Sequence, residues 1–397
     1  MFYLLVSYLL KFFFSSFLFF FIAKFLSFEF FSQISFYFLL SNFLFIVFDL
    51  GLYLYVVKES VHNRFPNILK AFFFKNLINA ITLVIFLIII FLLFKNIEFS
   101  SLFLFVVSSF LFSNFSFFSY SFRRKEFFHI EAKLNFYLFL STMIFILPLL
   151  IFKIEEIVLY ALSLFLSRTF GLILAIKEFK NLFYYSIKKP KFNVDINLLI
   201  KEILKFLRKN ASVLFLLSLI GNIFLYLDSF LVYYFGLPSN IISSQQLFFR
   251  LTLLFLMLNE IITAYFYPLL LKSNKNSSYF YFFSIVLLFF IYSIIFYNFD
   301  FSKFFGDVYG SIDNAKPKEV LIFFFKSILL CIGTFLSAKD MHIYRLISIL
   351  LGIITELVLF FAKRNEISFE DILDIILISN FFAMISMLYI WRIKITK

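Results

Sequence analysis

The sequence is poor in most of the residues that carry chemistry. Its 397 positions hold one Cys, eight Gly, six Pro, one Trp and three His. A single Cys, Cys331, leaves no intramolecular disulfide and no CxxC motif. His62, His129 and His342 are scattered over loops and loop edges, so no His metal site is expected. No GxxxxGK[ST] occurs, which excludes ATP hydrolysis at a P-loop in this chain. Nothing calls for a cofactor. The polar–apolar alternation of a membrane β-barrel is missing. The N-terminus lacks a basic n-region and a small-x-small cleavage site, and its apolar run is too long for a cleavable signal.

What is present is hydrocarbon. The chain is 63% hydrophobic with a mean hydropathy of +1.00, far from the composition of soluble domains. Apolar runs of about twenty residues recur from end to end, the mark of an all-α polytopic membrane protein. The 72 Phe need no aromatic chemistry, because a genome rich in A and T writes hydrophobic positions as Phe, Ile and Leu. The pattern predicts twelve spans, near 2–23, 33–57, 72–94, 99–121, 134–152, 157–176, 203–227, 241–271, 279–299, 319–338, 342–362 and 371–391.

Loop charge sets the orientation. With the N-terminus in the cytoplasm, 24 Lys and Arg fall on the cytoplasmic side, Lys58, Arg64, Lys70 and Lys75 among them, against eight opposite. That bias puts both termini inside. The net charge of +13 is the imprint of the same rule, not of a nucleic-acid partner. The longest cytoplasmic segment carries Lys188, Lys189, Pro190 and Lys191 and suits anionic head groups of membrane lipids. It divides the chain into an N-terminal six-helix lobe (1–176), a basic connector (177–200) and a C-terminal six-helix lobe (201–397).

Four cations remain inside the spans: Lys11, Arg168, Arg250 and Lys326. The acids within or at the edges of spans are Asp49, Asp228, Glu260, Glu356 and Asp374. Charge inside a membrane is expensive and faces a partner or water. Ser35, Asn42 and Asp49 recur every seven residues, so they share one stripe of span two, which argues against a lipid-facing helix. The interval from Ser35 to Asp49 equals that from Gln246 to Glu260, a weak echo between the halves. Asp49 has two readings. Either it is a carboxylate that takes a proton or answers a cation such as Arg250 or Lys11, or Gly51 breaks the helix and Asp49 caps the freed N–H groups.

In residues 226–270, Asp228 closes span seven and an apolar stretch ends in Phe235-Gly236. Arg250 follows about a third of the way into span eight, and Pro268 stands near its cytoplasmic end. Glu29-Phe30-Phe31 precedes span two, Asp49-Leu50-Gly51 lies towards its end, and a basic-aromatic loop, 122–127, follows span four. This pattern resembles the Wzx-type O-antigen and capsule-repeat flippases of the MATE-like (MOP) exporter superfamily. Ser32 departs from it where Gly is usual, as does a bulky span seven without a Pro near Ala211.

The resemblance implies two six-helix lobes around a central cavity. It implies alternating-access export, without enzyme activity, of an undecaprenyl-pyrophosphate-linked oligosaccharide across the bacterial inner membrane, from the cytoplasmic to the periplasmic leaflet. Many relatives couple to H+ or Na+. The protein is expected to act as a monomer beside polysaccharide-assembly proteins. Pyrophosphate calls for Arg or Lys, Arg offering two-pronged hydrogen bonds. Arg250 leads as a cavity cation, then Lys11, then Arg168 and Lys326. Pairing of each with an acid, merely to hold helices together, is the alternative. Asp49, Glu260 and Glu356 are the candidate coupling carboxylates or charge partners; Gly51, Asp228 and Pro268 are structural. Two other function classes remain. An O-antigen polymerase or polytopic glycosyltransferase would need a larger outer loop than 299–318, which holds Asp300, Asp307 and Asp313. A MATE-like small-molecule exporter would have a more acidic cavity.

Overall fold

The computed structural model describes residues 18–50, 65–93, 98–122, 127–186, 212–271, 275–339, 341–363 and 367–395, with single positions 6, 10, 52, 56, 57 and 60. The described residues are helices and short links, without a strand. Helix α1 is described over 18–25. It is followed by α2 (Phe28–Asp49), α3 (Phe65–Leu93), α4 (Phe99–Tyr120), α5 (Phe128–Ile151) and α6 (Ile157–Ser186). Then come α7 (Ser212–Tyr234), α8 (Ser239–Leu271) and α9 (Lys275–Asn298). A five-residue helix (Phe301–Phe305) and a 3-10 turn (Asp307–Tyr309) lead into α10 (Gly310–Ala338), α11 (His342–Ala362) and α12 (Phe369–Ile395). Ten of these helices are long and apolar enough to cross a membrane, so the chain is a multi-pass membrane protein.

Three boundaries differ from the hydropathy reading, each for a local reason. Helix α2 stops at Asp49 instead of running to 57, because Leu50 turns left-handed at φ +53°. Helix α7 runs through Asp228 to Tyr234, and Gly236 ends it at φ +61°. There Leu237 N–H donates to Val232 O and Gly236 N–H to Tyr233 O, a Schellman cap that only a residue free of a Cβ makes cheaply. Helix α10 starts at Gly310, well before the apolar run at 319, so much of the supposed outer loop is helix.

The chain forms two compact units, residues 1–14 with 36–219, and residues 15–35 with 220–397. Most of the predicted connector, 187–200, lies outside the described residues. In the first unit α6 packs on α4 and α5, and α3 on α4. Helix α4 buries Ser101, Ser108, Ser109, Ser113, Ser116 and Ser119, small residues that let neighbouring backbones come close. In the second unit α12 packs on α10 and α11, and α8 and α9 pack with α10. Residues 15–35 are tied there by backbone carbonyls. Tyr233 Oη donates to Ser32 O (2.6 Å), Ser243 Oγ to Phe28 O (2.7 Å), and Lys24 to Phe304 O.

Burial repeats with an offset of six helices. The spans of α2 and α4 are each 67% buried and those of α8 and α10 each 72%, while α3 and α9 are only 17% and 28% buried. This is a firmer internal repeat than the echo between Asp49 and Glu260, since α2 ends at Asp49 whereas α8 continues past Glu260 to Leu271.

Packing around Gly352 gives one expected result. A Cβ there would lie 2.7 Å from Phe224 Cζ and 3.1 Å from Ala383 Cβ, so α11 sits hard against α7 and α12. Gly352→Ala should lower stability by about 1–3 kcal/mol. The check is the melting temperature in detergent; no change would mean that the Phe224 ring moves aside freely.

Candidate functional site

Each unit carries an arginine that no carboxylate answers among the described residues, Arg250 buried and Arg168 half-buried. In the first unit Arg168, on α6, donates from Nη1 to Ser41 Oγ on α2 (3.0 Å) and Ser108 Oγ on α4 (2.8 Å). Ser41 and Ser109 share a further bond at 2.7 Å, and Arg168 Cζ sits 4.9 Å from the Phe112 centroid. Among the described residues hydroxyls and a ring take the place of the expected acid.

In the second unit Arg250, on α8, is 1% exposed. Its Cζ lies 3.8 Å from the centroid of Phe19 on α1 and 5.5 Å from that of Phe249. Tyr226 and Tyr233 are the titratable groups nearest to it electrostatically. Nε and Nη2 have no hydrogen-bond partner among the described residues. One turn earlier, Gln246 donates to Gln245 Oε1 (2.7 Å), and its own Oε1 accepts nothing. Stacking on a ring contributes about 2 kcal/mol where water is excluded, but it satisfies none of the five guanidinium N–H donors.

Lys326 behaves differently. It acts electrostatically on both Asp228 of α7 and Glu356 of α11. Gln245 Nε2 donates to Asp228 Oδ2 (3.2 Å), and Ser379 Oγ donates to Glu356 Oε2 (3.3 Å). Five helices therefore meet at a cluster of two acids and one amine. Asp228 belongs to this cluster inside α7, which runs on to Tyr234, so it does not close the span as its place at the end of the apolar run suggested.

The opening of the helix at Asp49 is also answered by charge. An acid at a helix C-terminus faces the negative end of the dipole and needs a compensating cation. Lys75, on α3, acts electrostatically on Asp49. It was counted above as a cytoplasmic-side residue, yet it is 0% exposed inside α3. Its Nζ donates to Ser113 O (2.8 Å) and lies 5.2 Å from the Phe117 centroid. One turn on, Asn79 donates to Phe48 O (2.8 Å). Asp49 thus stands at a real helix end and has a cationic neighbour, Lys75, that the sequence reading had not considered.

Lys11 and Gly51 lie outside the described residues. Glu260 and Pro268 fall within α8, but their side chains are outside what is described. Asp374, an acid at a span edge in the sequence, pairs with Lys318 at 2.9 Å. Sequence reasoning missed Lys75 and also Glu319, which is buried on α10 with neither carboxylate oxygen bonded. The signal for both was position: each stands within a turn or two of the edge of an apolar run, where a charge reads as loop.

The helix order, the paired units and the buried charges can be compared with solved structures. The chain is similar to the inward-facing conformation of a multidrug resistance MATE family transporter of the MOP superfamily. That match has a TM-score of 0.70 and 12% identity, over 98% of this chain and 94% of that one. This is the fold of the MATE transporters. The outward-facing conformation of such a transporter matches with a TM-score of 0.56 and 11% identity, over 90% and 85% of the two chains. A mutant of the Vibrio cholerae MATE transporter VcmN matches with 0.54 and 11%, over 98% and 95%. No protein-family profile matches the chain, and no curated protein matches it in sequence. On the MATE fold, Arg250 and the Asp228–Lys326–Glu356 cluster both belong to the C-terminal unit, and Arg168 and Lys75 to the N-terminal one.

Proposed function

We propose that the chain is a transporter, not an enzyme, that exports an undecaprenyl-pyrophosphate-linked oligosaccharide by alternating access. It moves this lipid from the cytoplasmic to the periplasmic leaflet of the bacterial inner membrane, with both chain termini in the cytoplasm. The observation that carries this reading is Arg250. Among the described residues it is a buried guanidinium with two unbonded donor atoms and no acid beside it, an incomplete ion pair. A pyrophosphate completes it with two-pronged, charge-assisted hydrogen bonds. Arg168, bonded among the described residues to serines, supports the same preference for an anionic cargo. The Asp228–Lys326–Glu356 cluster is suited to coupling with H+ or Na+, since two buried acids face one amine. On this reading the protein works as a monomer among polysaccharide-assembly proteins and supplies O-antigen or capsule units.

A second reading is a MATE-like small-molecule exporter. It is favoured by the similar structures, two of which are described as multidrug resistance transporters.

Reconstitution in liposomes separates the two. Lipid-linked oligosaccharide is scored by its accessibility to an external lectin, and a fluorescent organic cation by its efflux. Movement of the glycolipid without efflux of the cation is the expected result. Efflux of the cation with no movement of the glycolipid would establish the second reading instead.

A further inference from the structure

Glu319 is 0% exposed, and neither of its carboxylate oxygens has a hydrogen-bond partner among the described residues. Tyr292, on α9, is also 0% exposed and lies within electrostatic reach of Glu319; its hydroxyl has no ordinary hydrogen bond among the described residues. Thr252 of α8 lies by that hydroxyl, and its Oγ1 likewise lacks an ordinary hydrogen bond. The remaining surroundings of Tyr292 are rings. The Phe323, Phe255 and Phe296 centroids lie 4.0, 4.9 and 5.1 Å from its own. An ionised carboxylate without donors in such a setting costs far more than the neutral acid does.

A ladder leads to this residue. Asp313, Lys316 and Glu319 recur every three residues, so they descend one face of α10. Asp313 and Lys316 form an ion pair at 2.9 Å, with side chains 20% and 15% exposed. Water therefore reaches the top of the ladder but not its foot. Pro317 cannot donate to the Asp313 carbonyl, which leaves that acceptor free on the same stretch of helix.

We infer that Glu319 is a proton-binding site of the carrier, held as a carboxylic acid beside Tyr292 and supplied along the Asp313–Lys316 face of α10. A metal cation fits poorly. Hard cations need several oxygen ligands, and among the described residues no three His, Cys, Asp or Glu side chains come together to hold one. Other charged side chains described on the packed elements either act on Glu319 from the same helix or face elsewhere. On α10 itself they are Asp313 and Lys316, which act on Glu319 directly, and Lys318, which faces Glu370 and Asp374 of α12. Arg250 of α8 stacks on Phe19, Glu356 of α11 belongs with Asp228 and Lys326, and Lys303 and Asp307 of the preceding turns are exposed. Glu319 differs from the coupling acids considered above, and the inference rests on the transport reading only for its purpose.

The test uses the full-length protein in lipid and needs no cargo, so it succeeds or fails whatever Arg250 binds. Infrared difference spectra are taken between the wild type and Glu319→Gln. A carboxylic-acid carbonyl band should appear at neutral pH in the wild type alone, and should fall about tenfold for each pH unit beyond its midpoint. Tyr292→Phe should shift that band, which keeps the test valid if Glu319→Gln folds poorly. Sodium chloride should leave it unchanged. Carboxylate bands at neutral pH, or loss of the acid band on adding sodium at fixed pH, would overturn the assignment.

Discussion

Arg250→Met should abolish export and at the same time raise the melting temperature. The two effects share one cause. A buried charge without a partner burdens the empty protein, and replacing buried ionic groups with apolar side chains of similar volume is often stabilising by about 1–4 kcal/mol. Arg250 is fully buried against Phe19 and Phe249, so Met would keep the packing and remove the burden. The cargo would lose two charge-assisted bonds of about 1.5–3 kcal/mol each, which is at least a hundredfold in affinity. Arg250→Lys should retain part of the binding, because it keeps the charge but not the planar fork. The measurements are glycolipid movement and thermal melting on the same preparations. A lower melting temperature with intact export would make Arg250 a structural residue and remove the main support for an anionic cargo.

Lys75→Met should be among the most damaging single changes in the N-terminal unit. Removing one member of a buried charge pair strands the other, at a cost of about 3–5 kcal/mol. Lys75 is 0% exposed, and Asp49, its electrostatic neighbour, already sits at the unfavourable end of α2. Asp49→Asn alone should also be costly, since it leaves the fully buried Lys75 ammonium without its counter-charge. The double variant should recover most of the loss, with a coupling above about 1 kcal/mol. Strictly additive effects in melting experiments would mean that the two charges are not a pair.

The fold was legible because apolar runs must cross the membrane as helices, and their lengths follow from its thickness. Arg250 was legible for a related reason: an Arg midway along an apolar run has few explanations. The failures follow from the same logic. Hydropathy marks where hydrocarbon begins, whereas a helix begins where its backbone does. Helix α10 starts at Gly310, so Glu319 lies well inside a helix although it borders Lys316 and Lys318. Lys75 lies near the start of an apolar run and read as cytoplasmic, yet α3 begins at Phe65 and carries it into the packed interior. The serines around Arg168 were beyond reach for another reason. Ser41 and Ser108 stand 127 and 60 positions away, and only folding brings them to one guanidinium.

The assignment of residues 15–35 to the second unit bears on how the protein is made. Domains generally fold as units, and those emerging earlier from the ribosome fold first. Most of the first unit, 36–219, is contiguous and can be completed early in synthesis. The second unit cannot, because its opening segment leaves the ribosome first while the receptors for it, Tyr233, Ser243 and Arg250, arrive more than two hundred residues later. During that interval the Phe28 and Ser32 carbonyls of α2 lack the added hydroxyl donors of Ser243 and Tyr233. A nascent chain halted before α8 would therefore hold one finished half and one orphaned hairpin, and quality control in the membrane would meet the protein first in that form.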